Sequence, residues 1–569
     1  MAKSRYEAYS KEQLLAKIKQ LEKHRYGLVW EDKLEDVAEQ CEQELPVLHE
    51  EISKEIFNDA HKPFNILIEG DNYHALYTLN FTHRRKVDVI YIDPPYNTGN
   101  KDFKYNDKFV DREDNYRHSK WLSFMSKRLK LAKNLLKETG VIFISIDNNE
   151  VAQLKLLCQD IFGEDNFISD VAVINNLKGR SDDKYIATAH EHLLIFKRKY
   201  FETLGVEVPE EYVDDYKFED LNGKYRLLGL RKRGANSKRE DRPNLFYPFY
   251  YDSKENKLSL SENGFKKKPI KILPKLSNGA EGNWRWGRET AAKRIDELVV
   301  TMIKTRNEFD ISQKDYLHKE NGDLKRIKPK SFWMGSEFSS DSGTKALKEI
   351  ISDVNFNNPK SVELIKYCLE QSAKKKSVIL DFFAGSGTTA QAVLELNEAD
   401  DGSRQFIICT NNENKICEEV TYPRIKKIIK GYNGNKGIPA NFKYFKTSFV
   451  PQVLTDNDKR ILVSRSTELL CLTENTFELV KQSKRKNEFA IYKNAKQLTA
   501  IIYDEDAINK CKEELESLSP KTKTVIYVFS YDHEYNVEDF EDLTIRFDVK
   551  PIPEAILNVY RKNSKLKRK

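Results

Sequence analysis

No stretch of this 569-residue chain approaches the roughly 20 consecutive apolar residues that a membrane span requires. The N-terminus, Met1-Ala2-Lys3-Ser4-Arg5-Tyr6, lacks the apolar core of a secretory signal. Cysteine is sparse: seven residues, at 41, 158, 368, 409, 417, 471 and 511, with no C-x-x-C pair. Such spacing argues against a disulfide framework or a zinc site and fits a reducing cytoplasm. The phosphate-loop pattern G-x-x-x-x-G-K-[ST] is absent. Charge of one sign is not in large excess, since 96 Lys and Arg face 89 Asp and Glu. Any nucleic-acid surface is therefore a local patch. What is present is aromatic mass, 28 Tyr and 30 Phe, which excludes a disordered polymer. The length predicts two to four domains.

The most informative segment is Asp93-Pro94-Pro95-Tyr96-Asn97-Thr98-Gly99. It follows a β-branched run, Val87, Val89, Ile90, Tyr91 and Ile92, that reads as a buried strand. Two prolines cannot continue a strand, because each lacks an N–H donor and has φ fixed. The chain must leave the sheet stiffly, with a carboxylate at the strand's C-terminal edge and a ring three residues on. Ligands of open α/β sheets sit at that edge. An acceptor, a carbonyl and a ring suit a flat, amino-bearing compound such as a nucleobase.

Strand and helix patterns alternate around this loop. A capping box at Ser10 and Gln13 opens a helix over 10–24, either a docking helix or a coiled-coil partner. A strand at 65–69 ends in Gly70-Asp71-Asn72, and a helix with Ala75, Leu76 and Leu79 follows. A long amphipathic segment (Leu122 to Leu136) leads through Gly140 to a strand at 141–147, and a further strand covers 192–196. His190-Glu191 reads as a strand entry, since nothing nearby completes a metal ligand set. Between 201 and 335 periodicity weakens and basic and aromatic residues interleave. Strands resume at 377–381 and 404–409, and a small α/β segment follows 450, with strands near 500–503 and 524–531 and a solvated tail at 565–569. The alternation predicts a doubly wound, largely parallel sheet.

The second loop is Asp381-Phe382-Phe383-Ala384-Gly385-Ser386-Gly387, set between a strand and a helix. Its small residues admit a ligand close to the backbone. A dinucleotide would need an acid about 20 residues on; S-adenosylmethionine needs an acid beside the loop, where Asp381 stands, and Thr410 to Glu413 end the next strand. Between the two loops lies a basic cluster, Arg231, Lys232, Arg233, Lys238, Arg239 and Arg242, followed by Phe246, Tyr247, Phe249, Tyr250 and Tyr251. It is a solvated face or a DNA contact, and its place in an insertion favours DNA.

With both loops in hand, the chain resembles the amino-group DNA methyltransferases of the permuted β class. Asp93, Pro94, Pro95 and Tyr96 match the catalytic D-P-P-Y motif, and Asp381 to Gly387 the F-x-G-S-G cofactor motif. Asn358-Pro359-Lys360-Ser361 resembles the pre-loop cofactor motif, with Ser361 where proline is usual. The nearest likeness is to the modification subunit of type III restriction-modification systems, through Tyr26-Gly27-Leu28-Val29-Trp30, Ile68 to Asn72, Asn97-Thr98-Gly99, Arg233 to Ser237, Trp284-Arg285-Trp286-Gly287 and Thr410 to Asn414.

That resemblance implies an S-adenosylmethionine-dependent methyltransferase core with an inserted target-recognition domain and a small C-terminal α/β module. The expected parts are a helical region at 1–62, core at 63–200, recognition domain at 201–335, core again at 336–450 and an interaction module at 451–569. It implies cofactor contacts at Asp71 (favoured over a helix cap), Asn97, Asn358, Pro359, Lys360, Asp381, Phe383, Ala384, Gly385, Ser386, Gly387 and Glu413. The reaction implied is methylation of adenine N6 in double-stranded DNA by a cytoplasmic homodimer that joins a separate helicase-nuclease subunit. Neither metal nor membrane is needed. Cytosine-N4 methylation is the first alternative, RNA or protein-glutamine methylation less favoured, and a catalytically silent DNA-binding subunit a rival of another class. An NAD-binding oxidoreductase would leave Asp93–Gly99 unexplained.

Overall fold

The structure is a computed structural model that describes residues 10–15, 18, 28, 30–179, 183–318, 322–485, 487–518, 523–531, 534, 535 and 537–567. The chain divides into two units, 1–204 with 329–569, and 205–328.

Ten strands of the first unit form its main sheet, numbered here in chain order: β1 (Glu44–Glu50), β2 (Phe64–Glu69), β3 (Val87–Ile92), β4 (Leu136–Ile146), β5 (Phe167–Ile174), β6 (His190–Lys197), β7 (Phe332–Met334), β8 (Val378–Asp381), β9 (Gln405–Thr410) and β10 (Asn441–Pro451). Their order across the sheet is β1-β10-β2-β9-β8-β3-β4-β6-β5-β7. β1 runs antiparallel to β10, and β6 antiparallel to β4 and β5, while the other pairings are parallel. Strands buried on both faces explain the apolar runs at Val87–Ile92 and Gln405–Thr410.

Six helices cover the two faces: α1 (Asn72–Thr82), α2 (Arg117–Leu135) and α3 (Val151–Phe162) on one, α4 (Val362–Glu370), α5 (Thr388–Asp400) and α6 (Tyr422–Lys430) on the other. Leu76, Leu129 and Leu157 pack with Ile407 and Cys409 on the first face; Ile365, Val393 and Ile425 pack with Phe406 and Ile408 on the second. The chain winds from β8 through α5 to β9, and from β3 through α2 to its other neighbour β4. Winding therefore reverses between the adjacent strands β3 and β8, where sheets of this kind hold ligands.

The structure differs from expectation in several places. The region 1–62, expected to be helical, forms the helix Asp36–Gln43 but also contributes β1, whose Leu45, Pro46, Val47 and Leu48 are all buried beside β10. Gly140 lies inside β4 rather than before it, and a Cβ there would crowd Leu136 at 2.9 Å, the Lys137 carbonyl at 3.0 Å and the Asp88 carbonyl of β3 at 3.1 Å. The insertion returns by residue 329, since Phe332–Met334 already pairs with β5. Residues 478–552 form a five-stranded sheet of their own. The tail is not frayed to residue 567, because α7 (Glu554–Lys567) packs back on the core. Tyr560 is buried there; its hydroxyl donates to the Pro46 carbonyl at 2.6 Å, and Tyr77 donates to the Tyr560 carbonyl at 2.9 Å.

The capping box at Ser10 and Gln13 forms, but most of the helix expected over 10–24 lies outside the described residues, as do Tyr26, Gly27, Val29, Arg568 and Lys569. No described helix is long and apolar enough to cross a membrane.

The second unit, 205–328, is β-rich. A four-stranded antiparallel sheet (Phe218–Asp220, Gly223–Gly229, Glu308–Tyr316, Leu298–Ile303) accompanies a three-stranded one around Phe249–Asp252. Its core is Leu230, Phe249, Trp284 and Ile311, all fully buried.

Candidate active site

Four neighbouring parallel strands, β2, β9, β8 and β3, end in Gly70–Asn72, Asn411–Glu413, Phe382–Gly387 and Asp93–Tyr96. The two loops singled out in the sequence thus leave adjacent strands at the winding reversal.

The Asp93 loop is held from several sides. The Trp121 indole N–H donates to the Pro95 carbonyl at 2.7 Å. Asn97 is buried in a left-handed conformation (φ +57°), and its amide donates to the buried Glu150 at 2.6 Å and to the Arg117 carbonyl at 3.3 Å. Asn97, expected at the cofactor, braces the exit of the loop through its amide N–H groups, while its Oδ1 accepts no hydrogen bond within the protein.

Asp93 and Tyr96 meet two residues from distant sequence. The Tyr96 hydroxyl donates to Glu191 at 3.0 Å; the Lys360 ammonium lies 2.6 Å from both that hydroxyl and Glu191, and 3.5 Å from Asp93 Oδ1. Burial raises the Asp93 carboxyl above the usual range, and the Lys360 charge opposes this. Burial opposes the Lys360 charge, but Asp93 and Glu191 outweigh it and raise its pKa. Burial, with both carboxylates, holds the Tyr96 phenol well above its ordinary value. Lys360 was expected beside the cofactor; within the protein its ammonium faces Asp93 and Tyr96, drawn by two carboxylates. Neighbouring Pro359 is buried and Asn358 exposed with φ +53°. Ser361, where proline was expected, caps α4 by accepting the Leu364 N–H at 3.3 Å.

Glu191 was read only as a strand entry. Because β6 runs antiparallel to β4, its first residues lie at the edge where β3 and β4 end. With Asn149, Asn175 and Thr188 it lines a polar cavity against Tyr96. Nothing local in the sequence couples it to Tyr96; strand order does.

The Asp381 loop is a tight backbone cradle. Asp381 accepts the Phe383 N–H at 2.9 Å and the Thr389 hydroxyl at 2.5 Å. Burial pushes its carboxyl up to about 7, against both hydrogen bonds. Gly385 (φ +48°) and Gly387 (φ +82°) are left-handed, and a Cβ on Gly385 would touch the Phe356 ring at 3.2 Å. Ala384 is buried, and its N–H donates to the Cys409 carbonyl. Ser386 points inward, its hydroxyl accepting from buried Arg424 at 2.9 Å; the same guanidinium reaches Thr388 and Gln391. Phe383 lies partly exposed, 5.9 Å from Phe124.

Two further residues expected at the cofactor also make contacts within the protein. Asp71 caps α1 by accepting the Tyr73 N–H at 2.7 Å and pairs with Arg128 at 3.3 Å, so the cap, weighed as the alternative, is what forms. Glu413 is exposed and paired with Lys104.

In the second unit the basic cluster is partly spent. Arg231 donates to the Lys275 carbonyl, Arg239 pairs with Glu281 at 2.7 Å and lies over Phe246, and Lys238 faces Glu240 at 3.4 Å. Lys232 is half-buried, whereas Arg233 and Arg242 are exposed. Tyr247, Phe249 and Tyr251 are buried in this unit's core, so these aromatics do not form an open stacking surface.

Fold and site together define a doubly wound α/β protein in which a carboxylate-aromatic loop and a glycine loop leave adjacent strands at the winding reversal. The N6/N4 DNA methylase family matches residues 87–422, and the chain belongs to it. Over 409 residues it is 36% identical to the type III restriction-modification enzyme EcoPI Mod subunit of Escherichia phage P1, covering 64% of this chain and 62% of that protein. Over 346 residues it is 38% identical to the type II methyltransferase M.KpnI of Klebsiella pneumoniae, covering 60% of this chain and 79% of that one. The StyLTI Mod subunit of Salmonella typhimurium (strain LT2) is 29% identical over 484 residues, 77% of this chain and 69% of that one. The EcoPI match thus spans less than two thirds of that relative.

Proposed function

We propose that the chain methylates adenine N6 at a specific DNA site, using S-adenosylmethionine, as the modification subunit of a type III restriction-modification system. The observation that carries this is the meeting of Asp93–Tyr96 and Asp381–Gly387 at the ends of adjacent strands β3 and β8.

The cofactor loop fits S-adenosylmethionine rather than a pyrophosphate. Its acid lies at the loop, and the charge of Asp381, disfavoured by burial, is stabilised by an ammonium brought against it. Phe383 to Gly387 supply a backbone surface on which Gly385 adopts a left-handed φ of +48°, where a Cβ would lie 3.2 Å from the Phe356 ring. When bound, the cofactor supplies an electrophilic methyl group on a sulfonium centre.

The exocyclic amino nitrogen of adenine is a poor nucleophile, because its lone pair is delocalised into the ring. The Asp93 carboxylate and the Pro94 carbonyl each accept one amino hydrogen and turn the lone pair out of conjugation. With the cofactor bound as methyl donor, Asp93 would take up the amino proton that the nitrogen releases on methylation. Tyr96 stacks on the flipped base, offsetting part of the roughly few kcal/mol lost on unstacking. Positioning and pre-aimed dipoles supply the rest.

The inserted unit reads the DNA, with exposed Arg233 and Arg242 among its contacts. The protein works in the cytoplasm as a homodimer that joins a separate restriction subunit. Methylation-sensitive sequencing of DNA from cells expressing the chain, beside Asp93→Ala, tests this reading. Adenine-N6 marks at one asymmetric site, lost in the variant, support it; cytosine-N4 marks or persistence in the variant overturn it.

A further inference from the structure

Three stretches far apart in sequence, at 93–96, 191 and 360, place an ammonium between two carboxylates and a phenol. Lys360 is 2.6 Å from Glu191 but 3.5 Å from Asp93 Oδ1, so Glu191 holds the closer pairing. Asp93 Oδ1 is buried and makes no hydrogen bond within the protein. A lysine free to choose would close on that oxygen at the ordinary 2.7–2.9 Å of a charge-assisted bond. Glu191 restrains it, and the Tyr96 hydroxyl is fixed by the same pair.

We propose that Lys360, anchored by Glu191, is a positioning residue that faces the buried Oδ1 of Asp93 and keeps the carboxylate charged, while the exposed side of that carboxylate stays open to the substrate amino group. This rests on the proposed role of Asp93 as amino acceptor. Lys360 is not the base, because a cation between two carboxylates keeps its proton. The groups facing Asp93 are Lys360, Glu191, Tyr96 of its own loop, Tyr91 of its own strand and Asp381 of the neighbouring strand. Among these Lys360 is the cation and favours the ionised carboxylate, whereas Glu191 and Asp381 oppose it.

The test is the pH profile of single-turnover methyl transfer with the full-length chain, Lys360→Met, Lys360→Arg and Glu191→Gln. In Lys360→Met the acid limb moves to higher pH by about one unit or more, which is a tenfold loss on that limb. Lys360→Arg restores its position. In Glu191→Gln the limb moves the other way while the plateau rate falls, because the opposing charge is gone and the released lysine occupies Asp93. Cofactor affinity stays unchanged in Lys360→Met. A drop of equal size at every pH, an unmoved limb, a parent with no acid limb, or a tenfold loss of cofactor affinity in Lys360→Met overturns the proposal. If Lys360→Met does not fold, the Glu191→Gln profile decides alone. Asp93→Ala separates the two readings: full activity there ends the role of Asp93 itself, whereas loss there with unmoved limbs ends only that of Lys360.

Discussion

Asp93 and Asp381 stand at the ends of adjoining strands, and both carboxyls are raised by burial, yet their partners differ. Asp93 has a cation 3.5 Å away, whereas Asp381 has a hydroxyl and a backbone N–H. Asp93→Asn should lower the methyl-transfer rate by about 100-fold or more while retaining cofactor binding, measured with tritiated cofactor. Asp381 gives a stability signature in the absence of cofactor. Its carboxyl titrates near 7 in the fold against 3.8 ordinarily, so the folded state binds the extra proton between those values. Its contribution is therefore favourable at low pH and is lost as pH rises from about 4 through about 7. The difference between parent and Asp381→Asn in urea melts should follow that slope, and a difference flat with pH rules it out. Asp93, Tyr96 and Asp381 were legible in the sequence because each sits in a motif of contiguous residues. Glu191 was not, nor was the contact of Lys360 with Tyr96, because these pairs lie 95 and 264 residues apart.

Loops at the strand ends work because the elements beneath them are rigid. Arg424 of α6 is fully buried and ties the loop to the start of α5 through Ser386, Thr388 and Gln391. Arg424→Met strands those acceptors, so it should cost about 1–3 kcal/mol and weaken cofactor binding, read by thermal shift with and without cofactor. Gly387→Val forces a β-branched residue to φ +82° beside Thr421. It should cost at least about 1–2 kcal/mol, and intact cofactor affinity in that variant would show that the loop tolerates distortion. Strand positions were legible from apolar runs bounded by Gly, Pro and Asp. The start of β4 was not, since Gly140 reads locally as a turn, and its crowding by Leu136, Lys137 and the Asp88 backbone emerges only from the fold. Asp71 could be either a cap or a ligand contact until Arg128 was placed beside it.

Across the whole molecule, one unit carries both loops and the other carries its own buried core. Trp284→Ala should cost about 3–5 kcal/mol within 205–328. It should abolish site-specific DNA binding while the other unit still binds cofactor; loss of both activities together would refute their independence. The sequence alone specified the α/β class, the two loops and their order along the chain, because prolines, glycines and β-branched runs act on the backbone within a few residues. It also located the insertion, though its return at residue 329 and the edge strand β1 emerged only from pairing. The tertiary structure decided which strands are neighbours, and hence that Glu191 and Lys360 reach Tyr96 and that Tyr247, Phe249 and Tyr251 are core. The reason is physical: backbone propensity is local, whereas strand order and charge pairing depend on which distant segments share one sheet edge.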